Sequence, residues 1–263
     1  MSASGPRWTG RTRFWRPDLS MPFHIKRPSR IFVADMGDLF FEGVSMTDLT
    51  DIFEVMARCP QHIFLVLTKR PERMATLWHD LGTGVAYRCE QEKQKKFWPL
   101  PNVQIGTSVE DQKSYDERVP WLLRIPALVR FVSAEPLLED IDIHLDDCLL
   151  EEDHYETYER LQWVIIGGES GPLARPCNVE WIRSLRDQCV AAGIAMHIKQ
   201  LGRVPVIASA RGQGPEDLWP LGTSFGNSTH DVSLNGRVAL LRDHKGSDPS
   251  EWPEDLRVRQ WPA

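Results

Sequence analysis

Trp163-Val164-Ile165-Ile166-Gly167-Gly168-Glu169-Ser170 is a short apolar run that ends abruptly in glycines and polar side chains. The run is continuous rather than alternating, which is typical of a parallel strand covered on both faces. The glycines would let backbone groups approach a ligand closely, and the carboxylate that follows can hold a cation or an amine. A tight strand-to-helix turn with an exposed glutamate would have the same sequence. The stretch therefore predicts a buried strand whose carboxyl end carries either a binding loop or a plain turn.

Five other apolar runs of the same form recur along the chain. Consecutive runs begin between 26 and 40 residues apart, which leaves room for one strand, one helix and two loops in each unit. Together with Trp163–Ile166, the runs are Ile31–Ala34, Ile63–Leu67, Val103–Ile105, Val129–Val132 and Ala195–Ile198. Strand, helix and strand repeated in this way imply right-handed parallel crossovers. The sequence thus predicts an α/β fold, a partial TIM-like (β/α) barrel of about six parallel strands.

A doubly wound open sheet is the rival architecture for such a pattern. It would usually carry a glycine-rich phosphate loop directly after its first strand. Asp35-Met36-Gly37-Asp38, which follows the first run, is not such a loop. The barrel is therefore the preferred fold.

Helix-capping residues occupy the gaps between the runs. Ser45-Met46-Thr47-Asp48 is a capping-box start, and the helix that begins there must end before Pro60, because proline disfavours helical geometry in the preceding residue. A further helix is predicted to open at Asp111. Another is predicted to begin at Asn178 and to stop at Gly193.

Two stretches interrupt the alternation of predicted strands and helices. Pro71 suits the first turn of a helix through about Trp78, and the polar, lysine-rich residues 82–101 predict an insertion loop after it. The acidic residues 139–161 predict a short helix or a loop.

The expected organisation is a single domain made of a basic aromatic arm (1–30), a partial barrel (31–202) and a C-terminal cap packed on the barrel (203–263).

The composition narrows the class of protein. The chain has 263 residues, of which 41% are hydrophobic and 26% charged, as is ordinary for a soluble globular protein. No apolar stretch approaches the roughly 18 residues of a membrane span, and the amino terminus has no apolar signal core, so we expect a cytoplasmic protein. The five cysteines show no CxxC spacing and the eight histidines no HxH or HExxH, so no metal bound wholly within this chain is expected.

The net charge of −6 hides a basic amino-terminal arm. Residues 1–30 carry seven basic side chains against Asp18 alone, a net of +6, which leaves −12 for the remainder (24 basic and 36 acidic residues). Four aromatic residues interleave with these bases: Trp8, Phe14, Trp15 and Phe23. Such a mixture suits phosphate contact and base stacking. The alternative, which we favour, is an arm that packs its aromatic rings on the domain and leaves the bases in water.

Polar side chains follow every predicted strand. In a barrel of parallel strands the carboxyl ends meet at one mouth, so we expect these side chains to converge. Glu135 and Glu169 would then form an acid/base or ligand-holding pair, and Lys199 an ion pair with one of them. The remaining members of the ring are Asp38, Ser108, Glu110 and Gln200. Taken singly, each of these residues has an equally good structural explanation.

Two cations precede a predicted helix at the same mouth. Thr68-Lys69-Arg70-Pro71 places Lys69 and Arg70 beside a helix amino terminus. Backbone N–H groups and the helix dipole favour an anion at that position. The two side chains are therefore candidates for holding a carboxylate or a phosphate.

A resemblance extends over nearly the whole chain, in order. The matching segments are Arg7-Trp8-Thr9-Gly10, Met36-Gly37-Asp38-Leu39-Phe40, Leu67-Thr68-Lys69-Arg70-Pro71-Glu72-Arg73-Met74, Val109-Glu110-Asp111-Gln112, Arg130-Phe131-Val132-Ser133-Ala134-Glu135-Pro136-Leu137-Leu138, Gly167 to Gly171, Lys199-Gln200 and the Trp252 tail. In these segments the chain resembles the gp-thirty-seven/sixty-eight family of uncharacterised phage and bacterial proteins. That family is related to radical S-adenosylmethionine enzymes.

The resemblance implies the body of a radical S-adenosylmethionine-like enzyme, with S-adenosylmethionine and an iron–sulfur cluster as cofactors and a nucleic acid or nucleotide as substrate. The implied catalytic residues are Asp38, Glu135, Glu169 and Lys199; the implied cofactor-binding residues are Ser108, Glu110, Gly167, Gly168 and Ser170; and the implied substrate-binding residues are Lys69, Arg70 and Gln200. Family members carry a cysteine cluster upstream of the segment matching Trp8, and this chain has no such cluster. Either Met1 is an alternative start, or this member has lost the cluster.

Two other classes of function use the same mouth. The chain could be a cluster-free binding protein for an anionic ligand or nucleic acid, with the basic arm contributing. It could also be a hydrolase that uses the carboxylates directly, although the histidine–aspartate metal motifs typical of such enzymes are missing. The oligomeric state stays open.

Overall fold

Six parallel strands form a curled half-barrel. The computed structural model describes residues 14–34, 37–91, 98–144, 160–208, 219–220, 223–227 and 236–262. The half-barrel strands are β1 (Arg30–Val33), β2 (Ile63–Thr68), β3 (Val103–Val109), β4 (Val129–Ala134), β5 (Trp163–Gly167) and β7 (Ala195–Gln200), adjacent in that order. Each contains or overlaps one predicted apolar run. The predicted partial TIM-like barrel is therefore confirmed.

The α-helices of the described residues are α1 (Met21–His24), α2 (Met46–Arg58), α3 (Pro71–Gln91), α4 (Gln112–Leu123) and α5 (Val179–Ala192). The four longer ones, α2 to α5, bury side chains in the main core on the outer face of the sheet, whereas α1 has no buried residue. Ser45 caps α2, Asp111 caps α4 and Asn178 caps α5, each through its side chain, as the sequence predicts. Gly193 ends α5 in the left-handed region with φ of 66°, where glycine avoids the penalty of a side chain.

The third helix is longer than predicted. It extends beyond Trp78 to Gln91, so residues 82–91 are helical and the prediction of a loop from residue 82 is wrong. The reason is an apolar stripe at helical spacing, which is buried against the core: Met74, Trp78, Leu81, Val85 and Cys89. Its burial outweighs the poor helix propensity of Gly82 and Gly84. Residues 92–97 lie outside the described part of the chain.

A separate apolar cluster lines the inner face of the half-barrel, opposite the helices. Its buried members are Leu65, Phe131, Trp163 and Ile165. The Phe131 ring lies over Gly106, where a Cβ atom would be 2.6 Å from it. The inner face is thus filled by its own side chains, as the interior of a closed barrel would be.

The carboxyl-terminal residues add to the same body. A second sheet contains β6 (Cys177–Asn178), β8 (Pro205–Ala208), β10 (Gly236–Leu240) and β9 (Ser224–Asn227), in that order. Trp252 is fully buried, and its indole N–H donates to the carbonyl oxygen of Gly246 at 3.0 Å. Trp252 and Leu256 belong to the main hydrophobic core, which continues from the barrel into the predicted cap.

The described part of the amino-terminal arm lies against the domain. Phe14 and Leu19 pack on the main core, and Arg16 forms ion pairs with Asp48 and Asp51. Residues 1–13 and 145–159, which hold much of the predicted arm and of the acidic stretch, lie outside the described residues. Among the helices that the structure describes, none combines the length and the apolar composition needed to cross a membrane.

Candidate functional site

The carboxyl ends of β3, β4, β5 and β7 are joined by backbone hydrogen bonds. In the loop after β4, the backbone N of Leu137 donates to the carbonyl oxygen of Gly167 at 2.9 Å. The backbone N of Leu138 donates to the carbonyl oxygen of Glu110 at the same distance. Gly168 N donates to Gln200 O at 3.0 Å, and the Gln200 side chain returns a bond to Gly168 O at 2.7 Å. The loops that carry most of the predicted site residues therefore form one continuous edge.

Glu135 lies at the centre of this edge. Its Oε2 accepts a hydrogen bond from Ser133 Oγ at 3.0 Å, and Lys199 Nζ lies 3.2 Å from Oε1 and 3.4 Å from Oε2. The predicted ion pair of Lys199 is thus formed with Glu135. Oε1 is buried, yet it accepts no hydrogen bond of good geometry from any described residue. Its negative charge is met by Lys199, but the oxygen keeps the capacity to accept a hydrogen bond.

Glu169 has a different partner, Arg175, which the sequence analysis missed. Arg175 Nε and Nη2 donate to the two carboxylate oxygens at 2.8 and 3.0 Å, and its backbone N donates to Oε2 at 2.8 Å. The Arg175 hydrogen bond lowers the pKa of Glu169, against the opposing effect of burial. The turn signals between the two residues, Gly171 and Pro172, were the available hint that the loop folds back. Glu135 and Glu169 thus each have a cation of their own, Lys199 and Arg175.

Glu110 joins two cations. It forms ion pairs with Lys69 and with Arg118, whose Nη1 lies 2.9 Å from Oε2. Arg118 also donates to the carbonyl oxygen of Ser108 at 2.7 Å, and Ser108 itself is buried. Arg118 is a second residue that the sequence analysis missed. It lies on α4, two turns beyond the Asp111 cap, where nothing in the local sequence distinguishes it.

Asp38 holds the turn that carries the two predicted substrate-binding cations. Its oxygens accept from Thr68 Oγ1 at 2.6 Å, from the backbone N of Lys69 at 3.1 Å and from Arg70 Nη1 at 3.0 Å. Arg70 also binds Glu42 at 3.0 Å. Burial opposes the charge of Arg70, but these two carboxylates outweigh it and raise its pKa. Asp38 and Arg70 are thus engaged in fixing the loop that presents Lys69.

Carboxylates and cations occupy different depths at the mouth. The carboxylate side chains of Glu110, Glu135 and Glu169 are 15% to 29% exposed. Their partners Lys69, Lys199 and Arg175 are 54% to 57% exposed. The surface that a ligand meets first is therefore positive, above a recessed layer of negative charge.

The two predicted cofactor-binding glycines are each packed closely against another part of the protein. A Cβ on Gly167 would lie 2.6 Å from Glu135 Oε1, and one on Gly168 would lie 2.3 Å from the carbonyl oxygen of Leu201. A Cβ on Gly246, in the cap, would likewise lie 2.3 Å from the carbonyl oxygen of Gly202. Ser170, the next predicted residue of this loop, is exposed.

The residues that the structure describes do not fit an iron–sulfur cluster. Cys59, Cys89, Cys177 and Cys189 are each buried, and burial raises the pKa of Cys177 to about 12. In this part of the chain no group of three or more histidine, cysteine or acidic residues is placed to hold a metal ion. The fifth cysteine, Cys148, lies outside the described residues.

Comparison with known proteins gives one match. The family model of DUF5131, described as a protein of unknown function, matches residues 2–239. Neither a curated protein nor a solved structure matches the chain. Because the match covers most of the sequence, the chain belongs to the DUF5131 family.

Proposed function

We propose that this chain is the body of a radical S-adenosylmethionine-like enzyme and that its mouth binds S-adenosylmethionine. The observation that carries the proposal is Glu135 Oε1, a buried carboxylate oxygen that accepts no hydrogen bond from the described residues. The half-barrel fold and the resemblance of the quoted segments support it by analogy.

The amino-acid end of S-adenosylmethionine matches the chemistry at this point. Lys199 Nζ lies 3.2 Å from Glu135 Oε1 without forming a hydrogen bond of good geometry, and the ammonium group of a ligand would supply a well-oriented donor. Lys199 lies beside the same carboxylate and is more than half exposed, so it can receive the ligand's carboxylate. Glu135 and Lys199 would thus hold the two charges of the methionyl group.

The recessed carboxylates suit the rest of the ligand. The sulfonium of S-adenosylmethionine is a permanent cation, and Glu110 and Glu169 add negative charge below the mouth surface. Gly167 contributes indirectly, because its missing side chain leaves the space that the Glu135 carboxylate occupies. The proposal contains no step through an iron–sulfur cluster, since the described residues provide no ligand set for one.

Equilibrium binding of S-adenosylmethionine tests the proposal. The wild-type chain should bind, and Glu135→Gln should weaken binding at least about tenfold, because an amide replaces the charged partner of the ammonium. Glu54→Gln is the matched control. Glu54 is a similarly recessed carboxylate with an arginine partner, but it lies on α2. Its substitution should leave binding unchanged.

Two results would contradict the proposal. One is the absence of binding at millimolar S-adenosylmethionine by a folded wild-type chain. The other is equal binding by wild type and Glu135→Gln. S-adenosylhomocysteine, which keeps the amino-acid end but lacks the sulfonium charge, should bind more weakly than S-adenosylmethionine if the recessed carboxylates act as described.

A cluster-free binding protein for an anionic ligand is the second candidate function. The observation that favours it is the outward position of Lys69, Arg175 and Lys199 above their carboxylate partners. Binding of a phosphate-bearing ligand without any binding of S-adenosylmethionine would select this candidate.

A further inference from the structure

Lys69 and Arg175 come from loops after different strands but are coupled to the same carboxylate. Lys69 forms its ion pair with Glu110. Arg175 is held by Glu169, and the negative charge of Glu110 adds a smaller attraction to that of Glu169. The segments that carry Glu110 and Glu169 are joined at the mouth, because Leu138 N donates to Glu110 O and the N of Leu137 donates to Gly167 O, both at 2.9 Å.

We propose that Lys69 and Arg175 bind a phosphate group of a nucleotide substrate, either free or within a nucleic acid strand. This inference rests on the proposed function, because the substrate would share the mouth with S-adenosylmethionine. The two ligands would occupy different parts of it. Lys199 and Glu135 hold the amino-acid end of the cofactor, and the cations around Glu110 hold the substrate.

The donors that a phosphate needs are present on both residues. Arg175 binds Glu169 through Nε and Nη2, and its Nη1 makes no hydrogen bond with any described residue. Lys69 has three N–H donors, and its ion pair with Glu110 is the one contact of its ammonium group with the described residues. An arginine and a lysine at the same mouth, each fixed by a carboxylate, offer a phosphate both guanidinium N–H donors and a point charge.

Charge and exposure favour an anion at the outer surface of this part of the mouth. Lys69 and Arg175 are more than half exposed, while Glu110 is 15% exposed and Glu169 is 29% exposed. An anion that approaches from water therefore meets the cations first. Arg70 is less suitable, because it is bound by both Asp38 and Glu42. Its charge is already balanced within the loop.

Fluorescence anisotropy with a labelled single-stranded 12-mer of thymidine, and competition with adenosine monophosphate, test the inference. For single strands the slope of log K against log salt has a magnitude of about 0.7 for each phosphate that is neutralised, so one phosphate shared by the two cations contributes about 0.7. Lys69→Gln and Arg175→Gln should each lower that magnitude, by at most about 0.7. Each should also weaken binding five- to tenfold. The basic arm is unchanged in these variants, so its contribution cancels.

Three further variants keep the test independent of folding. Arg58→Gln removes an ion-paired cation at the end of the barrel away from the mouth, where α2 ends, and should leave binding unchanged. Glu110→Gln removes the negative charge beneath both cations and should tighten binding. If Arg175→Gln fails to fold, the opposite effects of Lys69→Gln and Glu110→Gln still decide the question. Arg175→Lys should keep most of the affinity.

The outcomes separate this inference from the proposed function. Loss of strand binding in the mouth variants supports a nucleic acid source, and loss of binding only for the mononucleotide supports a free nucleotide. If neither probe binds, or if the mouth variants bind like wild type, the inference is overturned. S-adenosylmethionine binding is measured on the same preparations. Its persistence would show that only the phosphate site is wrong, and its absence would show that the cofactor proposal is wrong.

Discussion

The guanidinium carbon of Arg30 lies 4.1 Å from the ring centre of Trp261. Arg30 begins β1 at one edge of the half-barrel, whereas the Trp261 ring lies tilted against Trp163 of β5 and His197 of β7, with ring centres 5.0 and 5.1 Å apart. Residues next to Trp261 pair with β7, since Gln260 N donates to Met196 O at 2.7 Å. The contact thus joins the two edges across the inner face and closes the part of the half-barrel away from the mouth.

We expect Trp261→Ala to lower the free energy of unfolding by about 1–3 kcal/mol, because a partly exposed ring that covers the inner aromatic cluster is lost. A double-mutant cycle with Arg30→Ala should give a coupling of about 0.5–1 kcal/mol, the size of an exposed cation–π contact. Urea unfolding of the four proteins measures both quantities. Strictly additive effects would show that the Arg30 contact contributes nothing.

Alanine substitutions at the two adjacent glycines of the mouth should affect different properties, ligand binding at Gly167 and stability at Gly168. The Cβ of Gly167→Ala meets the end of the flexible Glu135 side chain, which can move aside. We therefore expect near wild-type stability but weaker binding of S-adenosylmethionine. The Cβ of Gly168→Ala meets the backbone of Leu201 at 2.3 Å, which cannot move without shifting the loop. That variant should lose about 1–3 kcal/mol of stability.

Thermal unfolding and equilibrium binding on the same samples check this pair. A Gly167→Ala protein that binds normally would mean that the position of Glu135 does not matter for the ligand. Equal stability of the two variants would mean that the close contact of Gly168 with Leu201 is relieved at no cost.

The Asp243 turn should make stability depend on acid pH. Its carboxylate accepts hydrogen bonds from Ser247 Oγ and N, both at 2.6 Å, and from the backbone of Lys245 and Asp248. The Ser247 hydroxyl contributes most to holding the pKa of Asp243 at about 2, below its ordinary value of 3.8. Because the folded-state pKa is depressed, this stabilisation is complete above about pH 4 and is lost as the pH falls towards 2.

We therefore expect Asp243→Asn to destabilise the protein by about 1 kcal/mol at pH 6, with a difference that shrinks as the pH is lowered below 4. Thermal unfolding of both proteins between pH 6 and pH 3 measures it. Asp187→Asn, on the outside of α5, serves as a surface control. A difference that stays constant over this range would indicate that the ionised form of Asp243 has no special role in the turn.

Cys177 should resist alkylation in the folded protein. It is completely buried, and burial raises its pKa to about 12, so almost no reactive thiolate is present at neutral pH. Mass spectrometry after iodoacetamide treatment should find Cys177 unmodified in buffer and modified in denaturant. Rapid modification under native conditions would mean that β6 opens more easily than its burial implies.

The strands and most helix ends were predictable because their signals are local. Each continuous apolar run marks a strand covered on both faces, and Ser45, Asp111 and Asn178 cap helices through their own side chains. The end of α3 was mispredicted, because the polar, lysine-rich composition of residues 82–101 suggests a loop while the buried stripe that overrides it acts only through tertiary packing. Local propensity yields to burial at such a position.

The sequence by itself determined which residues lie at the carboxyl ends of the strands, because the apolar runs fix the strands and parallel connections put those ends on one side. Only the tertiary structure decided the partners of those residues. Glu169 binds Arg175, Glu110 binds Arg118, and Glu135 retains an oxygen without a hydrogen bond from the described residues. These pairings depend on how loops far apart in the chain are joined edge to edge, and side-chain direction in a loop has no periodic signal in sequence.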